Sequence, residues 1–445
     1  MNKKLGLLDC IMLIMGSMIG SGIFIVPAAM SRDLQSPAIL LLAWVVTAFI
    51  TVIAALNYGE LSAMIPKAGG QYVYLQRAYN NLFGFLYGWT LFAVIQTGTI
   101  AAVAVAFAKF TGVFLPIISD KVVLLDLGMI QIQSQQALAM LVIWILTIFN
   151  FLPVKNGAIL QNTFTFTKIG AIVFLLLAGL YHLYGKGMQP ISYALPSGNI
   201  SYWGLFCAAL VGSIFSADAW NNITFTGGEI AQPQRNLPLS LLIGTLSVTA
   251  LYVFINWIYI GVLPFDAIEH APSDRVGTLL LQTVMGDIGM YVMAAFIMIS
   301  TFGCINGITL SGARVYYAMA LDGLFFKRAA TKNINDSPQA ALVMQAIWTS
   351  ILTLSGSYSD LLDYVVFAVL LFYILTVAGI FILRKKEPHT IRPYKVWGYP
   401  YLPALYIMLA MFVCLSLLIF KPLYTYPGLA IVLAGIPIYY LIRKK

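Results

Sequence analysis

GSMIGSG, residues 16–22, interrupts the centre of the first long apolar run of the chain, residues 8–30. Three glycines in seven residues destabilise a helix by about 1 kcal/mol each relative to alanine. If the helix unwinds here, N–H groups of the following half point at an anion such as a carboxylate. Carbonyls freed from the preceding half can then accept from an ammonium. The alternative is close helix packing through the small residues Gly16 and Gly20.

The composition indicates a membrane protein. The chain has 445 residues, of which 60% are hydrophobic and 9% charged, and its mean hydropathy is +0.88. A soluble domain carries about 25% charged residues, so lipid must cover most of this exterior. No polar segment is long enough for a second domain, and a single transmembrane domain over 1–445 is predicted. The four cysteines lie in apolar runs and predict reduced packing residues.

Apolar runs of spanning length recur along the whole chain and predict an all-α protein with twelve transmembrane helices. The predicted spans are 8–30, 37–58, 82–109, 135–152, 157–183, 203–230, 238–263, 286–316, 338–356, 360–384, 400–421 and 427–442.

The distribution of basic residues supports this count. With the N-terminus inside, 18 Lys and Arg residues fall in inner segments and six in outer segments. Because inner loops of membrane proteins carry the excess of positive charge, both termini are expected on the cytoplasmic side of the cell membrane. The net charge of +9 therefore follows topology, and no nucleic-acid partner is expected.

The sixth run carries a second interruption, GSIFSADAWNN at residues 212–222, where small and polar residues replace apolar ones. Interruptions in the first and sixth spans are the pattern of two five-helix inverted repeats with broken first helices, a transporter architecture. Repeat one would cover about 8–183 and repeat two about 203–384. The last two helices, within about 400–442, would stand outside the repeat.

Two ionisable residues lie near the middle of predicted spans, Lys168 in the fifth and Asp218 in the sixth. Such groups are costly in hydrocarbon and mark functional sites by default. Carbonyls of an unwound first helix and hydroxyls such as Ser300 and Thr301 are candidate partners for Lys168, which could also serve only to pin helices together. For Asp218 three roles stay open: contact with a substrate amine, proton relay, or capping of the broken helix.

Other polar and aromatic residues have structural explanations beside functional ones. Glu60 and Glu229, near inner span ends, are expected in a gate network with basic residues. Phe215 and Trp220 either occlude the site or pack the core. The candidate basic partners are Arg77, Arg235 and Arg314. The tyrosines Tyr72, Tyr74 and Tyr79 are expected in the membrane-interface belt.

Four stretches carry a resemblance to a known family. They are GSMIGSGIF (16–24), YGELSAMIPKAGGQYVYL (58–75), FSADAWNNITFTGGEI (215–230) and STFGCINGITLSGARVYYAMALDG (300–323). The lysine in TFTFTKIGAIV (163–173) also fits. The chain resembles permeases of the amino acid–polyamine–organocation superfamily, closest to the L-type amino acid transporter branch and its bacterial relatives. The resemblance extends in order over nearly the whole chain.

This resemblance implies a LeuT-type fold with twelve spans and 5+5 inverted repeats. The backbone of residues 17–22 would hold the substrate carboxylate, and carbonyls near Ile19 and Phe215 would meet the amino group. Phe215 matches the aromatic gate of the family. Lys168 matches a lysine whose ammonium replaces a sodium ion, which implies sodium-independent exchange. The expected substrate-contacting residues are Ser17, Met18, Ile19, Gly20, Ser21, Gly22, Phe215, Ser216, Ala217 and Asp218.

Two departures from the family pattern bear on partners and specificity. Branch members with a glycoprotein heavy chain use a cysteine between spans three and four. Residues 109–135 contain none, so no disulfide-linked heavy chain is expected. Asp218 is acidic where several carriers of neutral amino acids have a small residue.

The sequence thus predicts a sodium-independent L-amino acid exchanger or facilitator that works by alternating access and prefers neutral substrates. The alternatives are a cationic amino acid or polyamine antiporter, a proton-coupled symporter, and a membrane sensor that binds amino acids without moving them. No enzymatic activity, cofactor or metal is expected, because the three histidines, His182, His270 and His389, show no ligand spacing.

Overall fold

The computed structural model describes residues 5–126, 131–152, 154–191, 200–355 and 358–443. Within these ranges, side chains are not described at 154–161, 200, 201, 355, 358–364, 424 and 443. The basic terminal residues counted in the topology argument, Lys3, Lys4, Lys444 and Lys445, lie outside the described residues, as does the side chain of Lys155.

Helices make up most of the described chain. Their bounds are α1 Leu7–Met18, α2 Gly22–Leu34, α3 Pro37–Met64, α4 Gln71–Ala78, α5 Asn81–Thr90, α6 Gln96–Thr111, α7 Ser134–Phe149, α8 Val154–Lys186, α9 Ile200–Ser216, α10 Asn222–Phe225, α11 Pro233–Val262, α12 Phe265–Glu269, α13 Val276–Met285, α14 Asp287–Leu321, α15 Gln339–Ser355, α16 Tyr358–Lys386, α17 Tyr401–Phe420 and α18 Pro422–Arg443. A π-helical turn, Leu91–Ile95, joins α5 to α6, and short 3₁₀ turns cover Gly227–Glu229, Pro272–Asp274 and Lys327–Ala330.

Eight of the described helices are long and apolar enough to cross a membrane, and the pair α1 and α2 makes a ninth if counted as one bent span. Shorter apolar helices, such as Ser134–Phe149 and Gln339–Leu354, add to the membrane-embedded body. The chain is therefore a multi-pass α-helical membrane protein. The count of twelve and the five-plus-five repeat stay predictions.

The first apolar run divides within the glycine-rich stretch. Helix α1 ends at Met18, and Ile19 adopts an extended conformation (φ −75°, ψ 90°) while its N–H donates to the carbonyl of Met15 at 2.9 Å. Helix α2 begins at Gly22 and is bent by 41° from α1. The interruption predicted from sequence is present, and it frees the carbonyls of the last turn of α1.

The sixth run divides as well. Helix α9 ends at Ser216, and Ala219 has a positive φ of 67°. This conformation costs a residue with a Cβ about 1–2 kcal/mol, so the surrounding structure must hold it. The four-residue helix α10 follows. The chain then turns away through the 3₁₀ turn and enters α11.

The two breaks lie against each other. A Cβ placed on Gly22 would overlap Ser216 Oγ and lie 2.8 Å from Ser216 Cβ. Only a residue without a side chain lets the start of α2 approach the end of α9 this closely. The glycine thus brings both helix ends into one site.

The N-terminal face is defined here as the face that carries Leu5, α4 and residues 387–398. It links the first half of the first broken helix to the second half of the other one. Leu5 forms a parallel bridge with Ile230, with its carbonyl accepting from the N–H of Ala231 at 2.9 Å. A second bridge joins Ala68 to Thr226. Helices α1 and α10 are therefore mechanically linked through the backbone.

One element departs from the all-α prediction. Strands β1 (Val123–Asp126) and β2 (Gln131–Gln133) pair antiparallel between α6 and α7. The side chains of β1 are exposed, and a short hairpin outside the helical body satisfies its own backbone groups. The apolar residues of β1 had no helical periodicity to reveal this turn of the chain.

Candidate functional site at the two helix breaks

The carbonyls released at the first break are taken by side chains from other helices. Lys168 Nζ on α8 donates to the carbonyl oxygens of Gly16 at 2.6 Å and Ile19 at 3.0 Å. Ser300 Oγ on α14 donates to the same oxygen of Ile19 at 3.1 Å. Thr301, the other predicted partner, bonds instead to the carbonyl of Ile297 in its own helix at 2.8 Å.

Two further donors complete the set. Cys304 Sγ lies 3.1 Å from the carbonyl oxygen of Ser17, and Tyr252 Oη donates to that of Met18 at 2.9 Å. Unsatisfied backbone groups cost several kcal/mol at membrane depth. Side chains from three helices, α8, α11 and α14, therefore stabilise the unwound segment by donating hydrogen bonds to its free carbonyls.

This arrangement changes the expectation for the carbonyl of Ile19. A carbonyl oxygen has two lone pairs. The Ile19 oxygen already accepts two hydrogen bonds, from Lys168 and from Ser300. A substrate ammonium would have to compete with them there. The carbonyl of Phe215, the other expected contact, accepts from the N–H of Asp218 at 3.1 Å.

A small cavity lies between the two breaks and is called the break cavity. Its volume is about 20 Å³, room for a water molecule but not for an amino acid. Ser17 Oγ is buried here without a hydrogen-bond partner. Eight of the predicted site residues line it: Ser17, Met18, Gly20, Ser21, Gly22, Phe215, Ser216 and Asp218.

Four predicted site residues do not line the break cavity, one of which is Lys168, whose ammonium contacts the unwound carbonyls. Ile19 and Ala217 are buried but do not line the break cavity. Trp220 packs in an aromatic cluster, with its ring centroid 4.8 Å from that of Tyr58 and 5.2 Å from that of Tyr373. The tryptophan therefore anchors the segment after the break rather than facing the cavity.

Asp218 faces the break cavity from the non-helical segment between α9 and α10. Its Oδ1 accepts a hydrogen bond from Tyr373 Oη on α16 at 2.6 Å. A carboxylate has further lone pairs to offer, so this contact fixes the side chain without using up its capacity as an acceptor.

Sequence reasoning missed the opposite wall of the break cavity, which α6 and α14 supply. The residues are Thr99, Val103, Cys304 and Ile308. The polar run QTGT at 96–99, in the middle of the third apolar run, was the signal that could have revealed α6.

Ion pairs close the N-terminal face. Arg314 on α14 donates to Glu229 through Nε at 2.8 Å and Nη2 at 3.2 Å. Glu60 at the end of α3 receives Arg384 at 2.9 and 2.6 Å. Its Oε2 also accepts from the N–H of Val396 at 2.8 Å. The buried carboxylate of Glu60 thus fastens the segment after α16 against α3.

Of the expected basic partners, Arg314 pairs with Glu229, whereas Arg77 pairs with Glu387 at 2.6 Å. The role of these pairs in a gate stays a prediction. The Arg77 guanidinium lowers the pKa of the Glu387 carboxyl. The interface-belt prediction is wrong for Tyr72 and Tyr74, which are buried. Tyr72 donates to Asp322 at 2.7 Å and packs α4 against the end of α14.

On the face opposite the N-terminal face, the carboxylate of Asp274 contacts two basic side chains. Arg32 at the end of α2 donates to Asp274 at 2.9 Å, and Lys109 Nζ lies 3.9 Å from the other oxygen. This pair is partly exposed, so it contributes little to stability, but it joins α2 to the segment before α13.

Glu60→Ala is expected to destabilise the protein by about 1.5–3 kcal/mol, because it removes the buried carboxylate to which the partly exposed Arg384 guanidinium and the N–H of Val396 donate. Arg392 Nε lies 3.5 Å from Glu60, and its side chain is 7% exposed. Thermal unfolding in detergent micelles measures the change. The control is Asp336→Asn, which breaks an exposed pair with Lys332 and should cost less than about 1 kcal/mol. Equal shifts for the two variants would contradict the assigned role of Glu60.

A membrane-embedded helical body with two broken helices that line one cavity is typical of secondary transporters. The chain belongs to the amino acid permease family, whose sequence profile matches residues 5–442. The family resemblance stated from the sequence is confirmed.

Individual relatives are similar over almost the whole chain. The serine/threonine exchanger SteT of Bacillus subtilis is 29% identical over 100% of this chain and 98% of its own length. The human large neutral amino acids transporter small subunit 2 is 30% identical over 99% of this chain and 80% of its own length. The mouse b(0,+)-type amino acid transporter 1 is 27% identical over 99% and 88%. Family and relatives together assign amino acid transport, rather than an enzymatic reaction, to this chain.

Proposed function

We propose that the chain is a sodium-independent exchanger of L-amino acids that prefers neutral substrates and works by alternating access. In this proposal it has twelve spans in two inverted repeats of the LeuT type, with both termini on the cytoplasmic side of the cell membrane. The relatives named above differ in substrate class, so similarity leaves the preferred side chain open.

The position of the Lys168 ammonium carries the proposal of sodium independence. In transporters of this architecture, unwound backbone carbonyls coordinate the coupling sodium ion. Here Lys168 Nζ donates to two such carbonyls, those of Gly16 and Ile19. A tethered positive charge that already uses these oxygens makes a sodium ion at the same place unnecessary.

The start of α2 supports binding of a substrate carboxylate. The N–H groups of a first helical turn point along the axis and carry partial positive charge. Gly20, Ser21 and Gly22 line the break cavity at this end of α2, so their backbone borders the space proposed for the carboxylate. Phe215 lines the same cavity from α9 and is proposed as the aromatic gate.

Alternating access in this proposal requires release of the ion pairs on the N-terminal face. The backbone bridge between Leu5 and Ile230 makes α1 and α10 move together. Separation of Glu229 from Arg314 would free this pair of half-helices from α14. A substrate can drive the change only if it binds the two states with different free energies.

The carrier is proposed to work without a disulfide-linked heavy chain. All four cysteines, Cys10, Cys207, Cys304 and Cys414, are buried and free, which supports this proposal because an intermolecular disulfide needs an accessible thiol.

The experiment is an exchange assay in proteoliposomes over all proteinogenic amino acids and putrescine, with and without sodium, at two pH values. We expect unlabelled neutral amino acid outside to stimulate release of labelled neutral amino acid from inside, unchanged by removal of sodium. Arginine or putrescine as the preferred substrate would favour the cationic alternative. Accumulation driven by a pH gradient without counter-substrate would contradict obligatory exchange, and binding without counterflow would indicate a sensor.

A further inference from the structure

A second cavity, called here the polar cavity, adjoins the break cavity on the side of α4. Thr99, Asp218, Ala219 and Ile308 line both cavities, so the two lie next to each other at the segment after α9. The volume of the polar cavity is about 10 Å³, which matches a group the size of one water molecule. A substrate held at the helix breaks would have this space next to it.

Most polar side chains that line the polar cavity already have protein partners. Gln71 Nε2 donates to Thr376 Oγ1 at 2.9 Å, and Gln71 Oε1 accepts from Asn221 Nδ2 at 3.1 Å. Gln96 Nε2 donates to the carbonyl of Ile308 at 2.6 Å. These groups form the rigid wall of the cavity and are not free to recognise a ligand.

Two groups keep capacity for a ligand. Asn222 lines the polar cavity, is 3% exposed, and its Nδ2 has no hydrogen-bond partner. Asp218 has lone pairs beyond the one that Tyr373 uses. An unpaired buried donor costs about 1–3 kcal/mol, so Asn222 marks a place where an acceptor belongs.

We propose that the polar cavity is the subsite for the substrate side chain, and that it selects short L-amino acids bearing a hydroxyl, serine and threonine. A hydroxyl is a single non-hydrogen atom that both donates and accepts. In this place it would donate to the Asp218 carboxylate and accept from Asn222 Nδ2. The inference rests on the proposed function and names the substrate class within it.

Other neutral side chains fit these observations less well. A methyl group of the same size leaves Asn222 Nδ2 unpaired and covers the Asp218 carboxylate, which costs binding energy. A carboxamide or an aliphatic chain as long as leucine would have to displace Gln71 or Gln96 from the hydrogen bonds that hold the cavity wall. The hydroxyl is the small group that satisfies both polar partners.

The test compares threonine with valine, which have nearly the same shape and differ by a hydroxyl against a methyl group. We expect the kcat/KM for exchange of threonine to exceed that of valine by at least about tenfold, since sites built to hydrogen-bond a substrate reject the analogue that lacks the group. Serine and alanine form a second matched pair with the same expected order.

Asn222→Leu removes the donor at similar volume. We expect the threonine to valine ratio to fall to within about threefold, through loss of threonine exchange while valine exchange persists. The control is Asn81→Leu, the same substitution at an exposed residue at the start of α5, which should leave the ratio at its wild-type value.

The outcomes separate the inference from the function on which it rests. Valine or leucine exchanged by the wild-type protein as efficiently as threonine would overturn the hydroxyl subsite while leaving amino acid exchange intact. An unchanged threonine to valine ratio in an active Asn222→Leu protein would also overturn it. If that variant is inactive, the threonine to valine ratio is measured instead in the wild type and in Asn222→Ser. Because Asn222→Ser keeps a donor, it should retain the preference for threonine. Absence of counterflow with every amino acid would refute the proposed function itself.

Discussion

Lys168→Ala is expected to lower exchange by about 100-fold or more while the protein still reaches the membrane. The substitution removes charge-assisted hydrogen bonds to the carbonyls of Gly16 and Ile19. Hydrogen bonds to a charged group contribute about 1.5–3 kcal/mol each, so their joint loss corresponds to a factor of at least about 100. Counterflow of labelled substrate, normalised to protein incorporated, measures the effect.

Two further variants separate the charge from the volume of this side chain. Lys168→Met keeps most of the aliphatic stem and should be nearly as impaired as the alanine variant, since the ammonium is the group that bonds. Lys186→Ala changes an exposed lysine at the end of the same helix and should leave exchange unaltered. Wild-type exchange by Lys168→Ala would remove the residue from the mechanism.

Gly20→Leu is expected to lower kcat/KM by up to about 100-fold, through loss of substrate affinity. A Cβ at Gly20 would lie 3.2 Å from Cys304 Sγ, already a tight contact, and the remaining atoms of the leucine would fill the break cavity. Overpacking a close-packed site costs about 1–3 kcal/mol, and the added side chain would also occupy the space of the substrate carboxylate. Substrate binding by the purified protein, measured calorimetrically, gives the affinity.

The matched control is Gly170→Leu in the middle of α8, where a Cβ would meet nothing within 4 Å. It should leave binding and exchange unchanged, which tests whether leucine in a transmembrane helix is harmful in itself. Normal affinity in Gly20→Leu would instead favour the packing explanation, in which Gly16 and Gly20 serve only for close approach of helices.

Much of the fold could be predicted because the bilayer imposes strong constraints on sequence. Long apolar runs and short basic loops indicated a multi-pass helical protein, and the runs of glycine, serine and asparagine at 16–22 and 212–222 marked the places where helices break. A charge at membrane depth needs partners, so the sequence alone marks Lys168 as a functional or structural contact. The β1–β2 hairpin was missed because exposed strands outside the helical body leave no periodic apolar pattern.

The contacts that define the site could not be predicted in the same way. Ser300 and Thr301 are adjacent hydroxyl residues, and by chemistry either could donate to the unwound carbonyls. The rotation of α14 about its axis decides that Ser300 donates to Ile19 while Thr301 bonds within its own helix. The sequence allowed Trp220 to line the cavity or to pack in the core. The backbone changes direction at Ala219, which has a positive φ, and the indole of Trp220 packs against Tyr58.

The sequence by itself determined that this protein is embedded in a membrane and that its first and sixth apolar runs are interrupted. It also placed a lysine and an aspartate at the depth of those interruptions. These properties are local, since they depend on residue chemistry and on the solvent around one helix at a time. The tertiary structure alone decided that Gly22 meets Ser216, that Glu60 is held by Arg384 rather than Arg77, and that Asn222 faces Asp218's cavity with an unused donor. Such pairings join residues far apart in the chain, and they follow from how helices rotate and pack against one another, which no single stretch of sequence encodes.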